Sequence, residues 1–91
     1  MRDFLPAKIK PLPGPARFSA APPIADEAAR WLKALFEEKR ASRHTIDAYA
    51  RDVAVFLTFL TEHLGARPDA AALIALQPAD LRAFLARRRN D

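Results

Sequence analysis

The chain has 91 residues, no cysteine, and 15 Lys and Arg against 11 Asp and Glu, for a net charge of +4. That length holds one small domain with a modest core, because a chain this short buries only about 60 % of its unfolded surface. The composition excludes a disulfide framework and a thiolate metal site, and no apolar run approaches the ~18 residues that a membrane-spanning helix requires.

Residues 1–23 hold six of the eight prolines, one of the two glycines, four basic residues and one acid. Proline removes a backbone donor and biases its predecessor away from helix. This stretch is therefore expected to be a flexible, basic, polyproline-like tail ahead of a domain spanning 24–91. A basic arm that touches phosphate is the alternative use of such a tail. The opening Met1-Arg2-Asp3-Phe4-Leu5-Pro6 lacks the apolar stretch of a secretion signal.

A first helix is expected over about 25–40. Asp26 and Glu27 would open it and Lys39-Arg40 close it, as the helix dipole favours. Ala28, Trp31, Leu32, Leu35 and Phe36 recur at spacings of three and four, which predicts one buried stripe with Trp31 as a core anchor. The second and longest helix is expected over 43–64, capped by Ser42 and stopped by Gly65. Its apolar face reads Ile46, Tyr49, Ala50, Val53, Phe56, Leu57, Leu60 and Leu64. Arg67-Pro68-Asp69 turns the chain, and 70–76 suits a short helical turn or two. A third main helix over 78–89 starts on Pro78 and Asp80, buries Leu81, Phe84 and Leu85, and ends in three arginines. No segment alternates as a strand would, so the fold class is all-α, a small helical bundle.

Lys39, Arg40, Arg43 and His44 crowd the start of the second helix. A helix N-terminus already carries partial positive charge and unpaired N–H groups, so acids belong there and cations cost about 0.3–1 kcal/mol each. Thr45 stands where a capping box would place Glu or Gln. Cations, hydroxyls and free N–H groups together are what a bound phosphate needs. On the residues alone, Arg43 and His44 pointing harmlessly into water is an equal reading. Elsewhere the chemistry is sparse. His44 and His63 have no cysteine or carboxylate cluster between them, so no metal site is expected. His63 near the helix end suits the terminal carbonyls. Glu37-Glu38 is a solvated face, and no phosphate-binding glycine loop exists. Arg87, Arg88 and Arg89 close a helix by default, with a phosphate-tracking patch as the rival.

From Trp31 onward the sequence resembles the N-terminal core-binding, SAM-like domain of Xer-type tyrosine recombinases of the phage-integrase family. The matching residues are Trp31-Leu32, then Ser42-Arg43-His44-Thr45-Ile46-Asp47-Ala48-Tyr49 with Arg51-Asp52-Val53, then Phe56-Leu57 and Leu60. His63-Leu64-Gly65 and Asp80-Leu81-Arg82-Ala83-Phe84-Leu85-Ala86-Arg87-Arg88 complete the match over about residues 28–89. The spacing S-x-x-T-x-x-x-Y-x-x-D followed by F-L-x-F-L carries most of its specificity.

The resemblance implies a domain that clamps one face of a double-stranded recombination half-site, with a paired recombinase protomer as a further partner. The second helix would lie against the major groove. Carried over residue by residue, Ser42, Arg43, His44 and Thr45 become candidate phosphate or base contacts, with Asp47, Ala48 and Arg51 on the exposed side near the groove. The local charge adds Lys39, Arg40, Arg87 and Arg88 to the candidate DNA contacts. Tyr49, Val53, Leu57 and Leu60 map to core positions.

It also implies a fourth long helix beyond Asp91 and a catalytic set of Arg, Lys, His and Tyr further on. This stretch is therefore not expected to be an enzyme by itself, and Tyr49, its lone tyrosine, makes a poor nucleophile. No cofactor, small-molecule substrate or membrane is expected, and the implied location is the cytoplasm, at the nucleoid. Chromosome dimer resolution is the role that the Xer-like wording favours. A helical protein-interaction module with no DNA role is the alternative.

Overall fold

The computed structural model describes residues 11–90. Four helices follow one another: α1 (Pro22–Glu37), α2 (Arg43–Leu64), α3 (Ala70–Ile74) and α4 (Pro78–Asn90). Among the described residues a 3-10 turn, Pro15–Arg17, precedes them and no strand occurs. The all-α class and the bundle follow from the helical period of the apolar residues.

α1 begins three residues earlier than its periodicity suggests. Pro22 and Pro23 occupy its first positions, where a missing N–H costs nothing and the fixed φ suits the helix. It also stops at Glu37, so Asp26 and Glu27 fall beyond the first turn and Lys39-Arg40 lie outside the helix. Arg40 takes a left-handed φ of 57°, and the following Ala41 N–H returns to Leu35 C=O at 2.9 Å. α2 has the expected limits. Gly65 at φ 85° closes it, its N–H donating to Thr61 C=O at 3.0 Å. Asp69 caps α3 by accepting from Ala72 N–H at 2.8 Å.

The core forms where α1 meets α2. Leu32, Ile46, Ala50, Leu57, Phe59 and Leu60 are buried there. They are joined by two residues from the proline-rich stretch, Phe18 at 5 % exposure and Ala20. The expectation of a flexible tail is thus corrected from residue 11 onward; its first ten residues lie outside the described part. Polar ties reinforce the strap formed by residues 11–21. Ser19 Oγ and Thr61 Oγ1 are 2.8 Å apart, and Ala21 N–H donates to Pro68 C=O at 2.9 Å. Burial of Phe18 is the reason the segment stays down. A fully buried aromatic contributes about 1.5–3 kcal/mol of transfer free energy, enough to oppose the ordering of a few residues.

Two expected core aromatics are elsewhere. Trp31 and Tyr49 stack on each other at the surface, centroids 5.7 Å apart and planes at 23°, with 46 % and 43 % of each exposed. Both lie at the edge of their stripes, while Leu32 and Ile46 fill the centre. Phe36 and Leu64 are exposed as well. α4 buries none of its residues completely. Only Ala83 and Phe84 of α4 pack against the core, Phe84 lying edge-on to Phe56 at 5.0 Å and tilted against Phe59 at 5.3 Å. Leu81 and Leu85, expected in a buried stripe, remain about half exposed.

Candidate nucleic-acid interface

The start of α2 is built by Ser42. Its extended backbone, φ −69° and ψ 156°, makes it the N-cap, and its Oγ accepts the Thr45 N–H at 3.1 Å. The same hydroxyl donates to Thr45 Oγ1 at 3.0 Å. Ser42 and Thr45 thus spend hydrogen-bonding capacity on each other while ending the helix. No acid lies in the first turn.

Around this end the structure gathers several of the sequence-predicted basic residues. Lys39 and Arg40 leave α1 just before the cap, and His44 sits on the first turn; all three are exposed. Their side chains, with that of Arg51, make no hydrogen bond or ion pair among the described residues. Arg40 also holds a backbone conformation that costs an L-residue about 1–2 kcal/mol and that glycine adopts freely. Arg43 is engaged. Its Nε donates to Asp47 Oδ1 at 3.1 Å and its Nη2 to Pro11 C=O at 2.7 Å. Arg43, Asp47 and Arg51 follow at four-residue spacing, so they share one stripe of α2.

Arg87 and Arg88 are not brought to this end. Arg87 Nη2 lies 3.0 Å from Glu62 Oε1, and Arg88 Nη2 lies 3.7 Å from Asp52 Oδ1 while its guanidinium covers the Phe84 ring at 5.6 Å. Glu62 is 19 residues along α2 from Arg43, roughly 28 Å at 1.5 Å per residue. Arg87 therefore holds α4 against the last turn of α2, and Arg88 holds it against the middle, at Asp52.

His63 has a similar task. Its Nε2 is 2.8 Å from Asp80 Oδ1, and its ring stacks on Phe59 at 5.0 Å. The expected contact with terminal carbonyls gives way to this pair, because α4 begins beside the end of α2. Asp80 Oδ2 also accepts the Gln77 N–H at 2.8 Å, just ahead of α4. That backbone hydrogen bond, with the bond from His63, holds the Asp80 carboxyl below the usual carboxylate range.

Sequence reasoning missed Arg17, which the strap carries to the stripe of Arg43 and Arg51; these three line one concavity with Pro11 to Gly14 and Asp47. Its one available signal was Phe18, a lone aromatic among prolines and small residues.

An all-helical bundle whose longest helix opens in a cluster of cations defines a class that the comparisons make specific. The family model for the phage integrase N-terminal SAM-like domain matches residues 28–91, and the chain belongs to that family. It is similar to the tyrosine recombinase XerC of Rhizobium meliloti (strain 1021), 54 % identical over 69 residues, which cover 76 % of this chain and 22 % of the relative. The tyrosine recombinase XerC of Nitrobacter winogradskyi is 44 % identical over 84 residues, covering 92 % of this chain and 26 % of the relative. That of Mesorhizobium japonicum is 53 % identical over 66 residues, covering 70 % and 21 %. The chain thus spans about a quarter or less of the relatives it matches. No solved structure gave a significant match. Among the described residues no helix is long and apolar enough to cross a membrane.

Proposed function

We propose that this chain is the DNA-engaging N-terminal domain of a site-specific tyrosine recombinase, with the start of α2 set against the major groove of a recombination half-site. Strand cleavage and exchange belong to the remainder of such a protein. Double-stranded DNA and a paired recombinase protomer are its partners, and its place of work is the cytoplasm, at the nucleoid. Chromosome dimer resolution is the role that similarity to XerC recombinases favours. The observation that carries the reading is the cap region: Lys39, Arg40 and His44 stand exposed without acids at a helix N-terminus, one of them on a strained backbone. Lys39 and Arg40 leave the C-terminus of α1, whose dipole favours them, and stand ahead of an α2 N-terminus whose first turn holds no acid, an arrangement that suits an anionic partner. Arg87 and Arg88 have a lesser share, since a DNA phosphate would compete with Glu62 and Asp52 for them.

Arg40→Gly tests the reading with two opposed readouts. Glycine relieves the left-handed backbone, so stability should rise by about 1 kcal/mol in urea unfolding. Removing the cation should weaken duplex binding about 3–10-fold and lower the slope of log affinity against log salt by about one. Binding indifferent to salt, or unchanged by the substitution, would remove the phosphate-contact assignment. A second reading, a helical protein-interaction module without a DNA role, has support in the half-exposed Val55, which lines the α2–α4 groove, and in the exposed Leu81 and Leu85 of α4. It predicts association with a protein and no salt-dependent retention on DNA.

A further inference from the structure

The strap lies upstream of the region the family model matches, yet it reaches the same stripe of α2 that carries Arg43 and Arg51. Alignment with the Nitrobacter relative covers 92 % of the chain and so includes most of the strap. Three guanidiniums from two separate elements face one open concavity: Arg17 from the 3-10 turn, Arg43 from the first turn of α2, and Arg51 two turns later. The one acid among them is Asp47, which bonds Arg43. Arg17 and Arg51 make no ion pair or side-chain hydrogen bond among the described residues. On its other side Arg17 borders a shallow hollow containing Asp26 and Arg67, and it pairs with neither.

The concavity's wall bears on what it binds. Pro11 and Pro13 have no N–H, so the strap offers few backbone donors there, and the guanidinium forks are the principal ones. The forks of Arg17 and Arg51 match the oxygens of a phosphodiester, while Arg43, whose Nε and Nη2 donate to Asp47 and to Pro11 C=O, adds its charge to the same concavity. Cations drawn from two separate elements suit an extended polyanion better than a single compact ion. Arg17 is also held in place. The neighbouring Phe18 is buried, Ser19 is bonded to Thr61, and the Arg17 N–H donates to Gly14 C=O at 3.1 Å. Little backbone freedom remains to be lost when it meets a ligand.

We propose that Arg17, Arg43 and Arg51 form one cradle for the phosphate backbone of duplex DNA, which makes the proline-rich strap a working part of the binding surface. The cradle rests on the DNA-binding reading above and adds to it a residue from outside the matched domain. Arg17 is exposed, so its substitution leaves the core intact.

The test titrates a labelled mixed-sequence duplex with the chain at several salt concentrations, comparing wild type, Arg17→Ala, Arg17→Lys, Arg51→Ala and Arg82→Ala. Arg82 is an exposed cation of α4 with no partner among the described residues, and serves as the charge control. Arg17→Ala and Arg51→Ala should each weaken binding about 3–10-fold and lower the salt slope by about one. Arg17→Lys should keep the slope, and Arg82→Ala should match wild type. If Arg17→Ala binds as wild type does while Arg40→Gly is weakened, the cradle is wrong and the DNA-binding reading stands. If Arg82→Ala loses as much as Arg17→Ala, net charge alone explains the effect and the cradle falls. A wild-type chain whose binding ignores salt overturns both.

Discussion

The strap and α4 flank the same long helix and attach to it by opposite means. The strap, residues 11–21, has one 3-10 turn for regular structure, yet it puts Phe18 and Ala20 into the core. α4 is a 13-residue helix with no completely buried residue. It is held by Phe84, by two surface arginine–carboxylate pairs and by the His63–Asp80 bond. Regularity of backbone and integration into the core are therefore separate properties. A helix satisfies its own hydrogen bonds wherever it lies, whereas an irregular segment stays put only if a side chain anchors it.

The largest expected break in this contrast is Phe18→Ala. Deleting a buried phenyl ring costs about 3–5 kcal/mol, a large share of what a domain this size has. Urea unfolding followed by circular dichroism should show that loss, with the strap's amides losing protection from hydrogen exchange. A loss below about 1 kcal/mol would mean that the strap is peripheral after all.

Acid should act on the other flank. The folded-state carboxyl of Asp80 lies below its ordinary value of 3.8, so its bonds to Gln77 and His63 add stability that is complete above that value. The contribution fades as pH falls through the depressed value, and α4 should lose exchange protection there before the α1–α2 core does. Asp80→Asn should abolish this acid dependence of α4. Protection of α4 that tracks the core down to the lowest pH would show that the polar tie is not what holds it.

How much of this could be seen in the sequence follows the same division. α2 was legible almost to the residue, because Ser42, Gly65 and a long apolar period mark it independently. α4 was legible as a helix from Pro78, Asp80 and the closing arginines, but Leu81 and Leu85 were misplaced, since a periodic stripe does not say whether a partner covers it. Trp31 and Tyr49 failed for a related reason: both sit at the edge of a stripe, where a wide ring can stack on its neighbour and stay half in water. Phe18 was hidden by composition, which describes a segment's average and not its one anchor. The cluster at Lys39, Arg40 and His44 was legible because basic residues crowd the junction of two helices, at an α2 start whose first turn holds no acid. The separate employment of Arg87, Arg88 and His63 was not, because it depends on where α4 lands on α2.

The smallest effect belongs to those arginines, and it sharpens the contrast most finely. The Arg87–Glu62 and Arg88–Asp52 pairs are about half exposed on both sides, so each is worth only about 0–1 kcal/mol and salt should weaken it. Arg87→Ala should therefore change stability by less than about 1 kcal/mol. Arg88→Ala should cost slightly more, because it also uncovers the Phe84 ring, a contact worth about 0.5–1 kcal/mol at an exposed site. Raising the salt concentration should shrink the Arg87 effect more than the Arg88 effect, since the ring contact includes apolar surface that ions do not screen. Equal losses at every salt concentration would mean that both arginines act through packing alone, and that α4 is held like the strap, by apolar contact.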